Sequence, residues 1–344
     1  MSISPGKIEG LKAVSDSRGV IAAAAMDQRG SLKKAITSAG DREATVADME
    51  EFKAQVTEVL TQHASAILLD PEFGMPAARR RAPGAGLLLA YEESGYDNTR
   101  PGRLPDLLPL ESVKRLKQQG ADAIKVLIYY TPFDKGEVND EKHAFIERIG
   151  DECRANDIPF FLEFVGYDPE GGDEKGLEYA KRKPKVVIGS MEEFCKPQYG
   201  VDVLKVEVPV NMKFVEGVQA FKGTAAYNRQ QAMDLFRQAA ESTDKPFIYL
   251  SAGVSNDEFT ETLKLAADAG VRFAGVLCGR ATWADGIPVY AKQGARAFRQ
   301  WLETQGVENI EAVNECLRAA QPWYSYYNVS SPAELTGEKA EVGA

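Results

Sequence analysis

The feature that most constrains this chain is an alternation. Eight short apolar runs, at 20–27, 66–70, 86–91, 121–130, 159–165, 201–209, 246–253 and 273–280, are nearly all separated by stretches with helical periodicity. Each run is too short for a free-standing helix and shows no strict apolar/polar alternation. Such runs read as strands buried on both faces of a parallel sheet. A short helix candidate spans 3–17, with Ile8, Leu11 and Val14 on one face. Thr45 caps a helix in which Val46, Met49, Phe52, Val56, Val59 and Leu60 recur at helical spacing. Further helices are predicted at 110–119, 139–156 (capped by Asn139), 190–195, 224–240, 256–269, 289–305 and 310–320. The charged, glycine-bearing stretch 167–184 reads as a solvated excursion. Eight strands alternating with helices close a (β/α)8 barrel, and 344 residues suit a barrel with insertions. No GxGxxG follows the first strand, which argues against a dinucleotide-binding sheet. The expectation is an α/β fold, a single-domain TIM barrel over 1–325 with a short N-terminal helix. The tail, 326–344, ends in Glu, Lys and Gly and is expected to be flexible.

Composition excludes several function classes. No run approaches membrane-spanning length, and the N-terminus lacks a basic region followed by an apolar core. Four scattered cysteines without a CxxC fit a reduced, cytoplasmic protein. A net charge of −10 argues against a nucleic-acid surface, yet leaves room for a local basic pocket. There are only two histidines, His63 and His143, so a three-imidazole zinc site cannot be built within one chain. The expectation is an enzyme with no metal and no cofactor.

The run at 201–209 carries Lys205 in its middle. A buried lysine is costly, because desolvation disfavours its charged form. It is justified if its neutral amine serves as a nucleophile towards a carbonyl. The bland reading is that Lys205 snorkels or pairs with Asp202 or Glu207. Lys125 and Glu163 sit inside the fourth and fifth runs, where only every second side chain points inward. All three can face the barrel axis on neighbouring strands. Lys125 then supplies a second cation that favours the neutral amine at Lys205, and Glu163 can shuttle protons during imine formation. A purely structural Lys–Glu–Lys network is the alternative; interior barrel layers are usually apolar, which disfavours it. Asp27 closes the first run, a mild hint of catalysis.

Ser251 and Gly253 end the seventh run, and Gly279 and Arg280 end the eighth. Barrels frequently bind phosphate at these two loops, where small residues let the backbone approach and an arginine can fork onto the anion. Plain turn chemistry explains each glycine singly. Cys278 and the aromatic run 323–327 read as packing.

These residues lie in stretches that resemble one family. They are Met-Asp-Gln-Arg-Gly at 26–30, Ile-Leu-Leu-Asp-Pro at 67–71, Leu-Leu-Leu-Ala-Tyr-Glu at 87–92 and Glu-Arg-Ile-Gly at 147–150. Val-Leu-Lys-Val-Glu-Val-Pro opens a longer match at 203–217, followed by Leu-Ser-Ala-Gly-Val at 250–254 and Val-Leu-Cys-Gly-Arg-Ala-Thr-Trp at 276–283. The chain resembles the bacterial class I tagatose-1,6-bisphosphate aldolases through most of its length; 167–185 and the tail beyond 324 match less well. The resemblance implies Lys205 as the Schiff-base lysine, Glu163 as acid/base and Lys125 as its cationic neighbour. It implies Asp27, with Gln28 beside it, as contacts to substrate hydroxyls, and Ser251, Gly253, Gly279 and Arg280 as phosphate contacts. The implied reaction cleaves a ketohexose 1,6-bisphosphate into dihydroxyacetone phosphate and glyceraldehyde 3-phosphate. The implied partner is a phosphorylated ketose, and the chain is compatible with a homo-oligomer. Two other readings are an aldolase of the same scaffold acting on another ketose phosphate, such as a sulfonated one, and a sugar-phosphate sensor without catalysis.

Overall fold

The computed structural model describes residues 3–335. Eight parallel strands close into a barrel: β1 (Ile21–Met26), β2 (Ala66–Leu69), β3 (Gly86–Ala90), β4 (Ala123–Tyr129), β5 (Phe160–Val165), β6 (Val203–Val206), β7 (Phe247–Leu250) and β8 (Gly275–Cys278). Every expected run supplies one strand. The order around the barrel is sequential, and β1 pairs with both β2 and β8. The helices are α1 (Pro5–Ala13), α2 (Gly30–Ala39), α3 (Val46–Leu60), α4 (Met75–Ala78), α5 (Val113–Gln118), α6 (Gly136–Ala155), α7 (Leu177–Phe194), α8 (Arg229–Glu241), α9 (Asn256–Asp268), α10 (Arg280–Trp283), α11 (Ile287–Trp301) and α12 (Val307–Cys316). A two-residue strand pair, Val215–Glu216 with Tyr227–Asn228, precedes α8.

Side-chain alternation divides the core in two. Ala23, Leu68, Leu88 and Phe161 point inward and fill the barrel, whereas Ala24, Ile67, Leu89 and Leu162 point outward under the helices. The inner cluster is plugged at the N-terminal end of the strands by Ile8, Leu11 and Val14 of α1 together with Trp323. Lys7 fastens α1 to the base of β6 through a 2.7 Å ion pair with Asp202. The aromatic run at 323–327 packs here: Trp323 is fully buried, and its ring meets Tyr324 and Tyr327 edge-on. Of the tail expected to be flexible, 336–344 lie outside the described residues.

Several expected elements change. The excursion at 167–184 is half helix: α7 begins at Leu177 and absorbs the helix expected at 190–195. Tyr179, Ala180, Val187, Met191 and Phe194 form its buried stripe, and Pro184 sits inside it. That proline, which costs an interior hydrogen bond, is what broke the helical pattern on reading. α6 begins at Gly136, and Asn139 is an interior residue whose Nδ2 donates to the Thr131 carbonyl at 3.1 Å. α2 was not expected, because its first residue is a glycine. α8 starts five residues later than read, where Asn228 and Gln231 form a reciprocal cap.

β1 and β8 close the barrel, and Gly275 is the residue opposite Ile21. Its φ is +142°, and a methyl group there would sit 2.0 Å from the Ile21 carbonyl oxygen. Gly275→Ala is expected to lower stability by about 1–3 kcal/mol through overpacking alone. Gly136→Ala, with open space around it, is expected to stay within about 0.5 kcal/mol of the parent. Urea unfolding midpoints measure both, and equal midpoints for the two variants would refute this account of the seam.

Candidate active site

The C-terminal ends of the strands enclose a cavity of about 350 Å3. Inward parity delivers its charged floor. On β4 the inward series Ala123, Lys125, Leu127 and Tyr129 runs up into the cavity; on β5 it is Phe161, Glu163, Val165; on β6, Val203, Lys205, Glu207. The parallel register sets Glu163 directly beside Lys205. In each series an apolar residue of the barrel filling (Ala123, Phe161, Val203) is followed by an ionic one (Lys125, Glu163, Lys205), so charge begins where that filling ends.

Lys205 Nζ donates to Glu163 Oε2 at 2.8 Å, and Lys205 is 4% exposed. The alternative partners are occupied elsewhere: Asp202 by Lys7, and Glu207 by Lys183 at 3.1 Å and the Gly166 amide at 2.8 Å. Lys125, fully buried, holds three carboxylates: Asp27 at 2.8 Å, Glu92 at 2.6 Å and Glu163 at 3.0 Å. Both amines therefore reach the same oxygen of Glu163.

This packing shifts the titrations in opposite directions. Burial alone would lower Lys125, but Asp27, Glu163 and Glu92 outweigh it and hold the ammonium well above its usual range. Burial pushes Asp27 up, yet Lys125 and Lys205 win and hold it below the usual carboxylate range. Glu163 is likewise raised by burial and lowered further by the two lysines, ending low. Glu92 goes the other way: burial dominates, the attraction of Lys125 does not cancel it, and its carboxyl is raised. The point among the three carboxylates that a divalent ion would take is filled by the Lys125 ammonium. Among the described residues no cluster of His, Cys, Asp or Glu is placed to hold a metal, and neither histidine lines the cavity.

Ser251, Gly253, Gly279 and Arg280 converge on the opposite wall. Ala252 (φ 49°) and Gly253 (φ 76°) are consecutive left-handed residues, so the backbone turns sharply beneath the site. Arg280 lies over Gly253: a Cβ at that glycine would sit 2.6 Å from the guanidinium carbon. Only glycine leaves the arginine there. Gln28 lines the cavity, with its Oε1 buried and unpartnered. Cys278 is core, its thiol pushed up to about 12 by burial.

Both the sequence and the barrel have known relatives. Residues 21–285 match the DeoC/LacD family aldolase. The chain belongs to this family. It is 53% identical over 328 residues to the tagatose 1,6-diphosphate aldolase of Listeria monocytogenes serotype 4a, covering 95% of this chain and 96% of that one. The tagatose 1,6-diphosphate aldolase 2 of Enterococcus faecalis is also 53% identical, over 331 residues, covering 96% and 99%. A solved fructose-bisphosphate aldolase from Plasmodium falciparum shares the barrel at a TM-score of 0.68 with 15% identity, over 93% of this chain and 97% of that chain.

All nine residues singled out from the sequence line this one cavity. Two further residues belong with them. Glu92 is held in place by a bridge between its backbone and Leu107, and its Oε2 is buried without a partner. Its signal was parity: it continues the inward series Leu88, Ala90 beyond the end of β3. Arg29 is 5% exposed, donates to the Glu92 carbonyl at 2.5 Å and pairs with Glu72 at 2.8 Å. It lies in the polar loop after β1, where nothing in the sequence distinguishes a buried arginine from an exposed one.

The shifts predict a pH signature. Lys125, raised on folding, contributes stability that is fully present below its unfolded pKa of about 10.5 and is lost only as pH rises through the folded value. Lys125→Met takes the hydrogen-bonded cation from two buried carboxylates, Asp27 and Glu92, while Glu163 keeps Lys205; it is expected to cost about 3–5 kcal/mol near neutral pH. The stranded carboxyls then sit above their unfolded pKa values, so the folded state binds more protons and the deficit shrinks as pH falls towards 5. Urea titrations at pH 5 and 8 measure this; an identical deficit at both would show that the ion cluster is not what the substitution breaks.

Proposed function

We propose that this protein is a class I aldolase that cleaves D-tagatose 1,6-bisphosphate, and related ketohexose 1,6-bisphosphates, to dihydroxyacetone phosphate and D-glyceraldehyde 3-phosphate. The observation that carries the reading is the buried Lys205–Glu163 contact of 2.8 Å on the cavity floor, in a chain 53% identical to relatives named for that substrate.

The residues divide the work as follows. Glu163, ionised beside the two lysines, accepts the proton that Lys205 must shed to become a nucleophile. The amine adds to the carbon-2 ketone, and the carbinolamine loses water with Glu163 returning a proton to the leaving hydroxyl. The protonated imine draws electrons, so the bond between carbons 3 and 4 breaks as a base takes the carbon-4 hydroxyl proton. Glyceraldehyde 3-phosphate leaves, and the enamine is protonated at carbon 3. Water then adds to the imine and frees dihydroxyacetone phosphate and the lysine. Asp27 faces the same space as an acceptor for substrate hydroxyls. Lys125 orients Asp27 and Glu163 and balances their charge. Ser251, Gly253, Gly279 and Arg280 hold one phosphate, with the guanidinium as its charged clamp.

Borohydride reduction in the presence of dihydroxyacetone phosphate tests the covalent step. The ligand's mass is expected on the peptide containing Lys205, and Lys205→Ala is expected to abolish trapping and lower turnover by several orders of magnitude. An adduct on Lys125, or on no lysine, would overturn the mechanism. A separate measurement addresses the clamp. Arg280→Lys keeps the charge but loses the bidentate fork, so KM for the bisphosphate is expected to rise about tenfold or more. Unchanged steady-state kinetics would remove Arg280 from the phosphate site.

A further inference from the structure

α3 carries a lysine in its buried stripe. Lys53 lies between Phe52 and Val56, both fully buried, and is itself 0% exposed. It sits outside the barrel wall, and it does not line the cavity. Its ammonium makes three hydrogen bonds: to Asp70 Oδ1 at 2.5 Å, to the Met26 carbonyl at 2.7 Å and to the Gln28 carbonyl at 2.7 Å. All three donor hydrogens are thereby used. Asp70 is also fully buried, and its second oxygen accepts the Phe73 amide at 2.7 Å.

The two carbonyls belong to the residues on either side of Asp27. The β1–β2 ladder ends at Met26 opposite Leu69. Asp27 and Asp70 are the next residues on each strand, so Asp27 stands where ladder hydrogen bonds no longer fix the backbone. Lys53 enters at that point, tying the last carbonyl of β1 and the first carbonyl beyond Asp27 to the head of β2. On its other side the Asp27 carboxylate is held by Lys125 at 2.8 Å. We propose that Lys53 is a positioning residue for the aldol cleavage: anchored by Asp70, it fixes the peptide groups flanking Asp27 and so aims the Asp27 carboxylate into the cavity. The same ammonium adds to the positive surroundings that keep Asp27 ionised, after Lys125 and Lys205. The inference rests on the reading that Asp27 contacts substrate.

Lys53→Met alone would strand the buried Asp70 carboxylate and endanger folding. The informative variant is Lys53→Met with Asp70→Asn, which removes both charges and keeps the acceptor for Phe73. It is compared with Asp27→Asn and with the triple combination. For the double variant, borohydride trapping of dihydroxyacetone phosphate on Lys205 is expected to persist and KM for tagatose 1,6-bisphosphate to change little. Its kcat is expected to fall about a hundredfold, the scale of a misplaced catalytic group. In the Asp27→Asn background the same pair of changes is expected to cost nothing further, because there is no carboxylate left to aim. An unchanged kcat in the double variant would overturn the proposal. So would a kcat loss repeated in full in the Asp27→Asn background, or a loss of trapping that parallels the loss of turnover, since each marks an effect not routed through Asp27. Wild-type turnover by Asp27→Asn alone would remove the role of Asp27 and the proposal with it, an outcome distinct from additive losses, which remove only the role of Lys53.

Discussion

The ammonium of Lys125 is the constraint on which the top of the barrel depends. Moving a charged group out of water costs several kcal/mol even after relaxation, and the side chains around it are largely buried: Asp27 is 13% exposed, Glu92 and Glu163 8% and Lys205 5%. None of these carboxylates would be tolerated as an anion there without a cation at hydrogen-bond distance. Lys125 donates hydrogen bonds to Asp27 and Glu92, just beyond the ends of β1 and β3, and pairs with Glu163, inside β5, at 3.0 Å. The cluster therefore ties alternate strands together at the level where the apolar layers stop. Stability and chemistry are separated along the barrel axis, with α1 and Trp323 closing the lower end and the ions confined to the upper one.

Much of this was legible in the sequence, for identifiable reasons. Strands that are buried on both faces appear as continuous apolar runs, so all eight were visible. A charged residue inside such a run stands out against its neighbours, which is why Lys125, Glu163 and Lys205 were found. Residues beyond the strand ends were harder. Asp27 and Arg280 were marked, but Glu92 was passed over although it obeys the same alternation, because it follows the strand rather than interrupting it. Lys53 was invisible: a lysine next to an apolar helical stripe reads as a snorkelling side chain, and only the three-dimensional path from α3 to the end of β1 gives it partners. α7 was half lost for a local reason, since Pro184 and the flanking lysines outweighed its apolar stripe on reading.

The comparisons separate scaffold from site. A barrel at 15% identity superposes over nearly the whole chain, as expected where many sequences fill the same apolar layers; a shared fold carries no particular chemistry. The family is decided instead by the match over 21–285 and by relatives at 53% identity. The walls of this cavity differ in character. One wall is glycine-lined and basic at Arg280, the floor is a balanced ionic network, and the rim includes Tyr129. The Arg103 guanidinium lies against the rings of Tyr96, Tyr129 and Tyr167 and pairs with Glu174 at 2.6 Å. That arginine joins the loops after β3 and β5 across the ring of Tyr129. The charged stretch that reads as a solvated excursion is thereby packed against the loop after β3.

Both amines of the floor meet one atom, Glu163 Oε2, and this has a consequence for proton movement. In the proposed mechanism Glu163 takes the proton from Lys205, and its oxygen then loses the negative charge that also holds Lys125. The Lys125 ammonium does not become unpaired, because Asp27 and Glu92 remain within 2.8 Å of it. Its attraction shifts onto them as Glu163 is neutralised. Asp27 and Glu163, far apart in the chain, are coupled through the Lys125 ammonium that pairs with both.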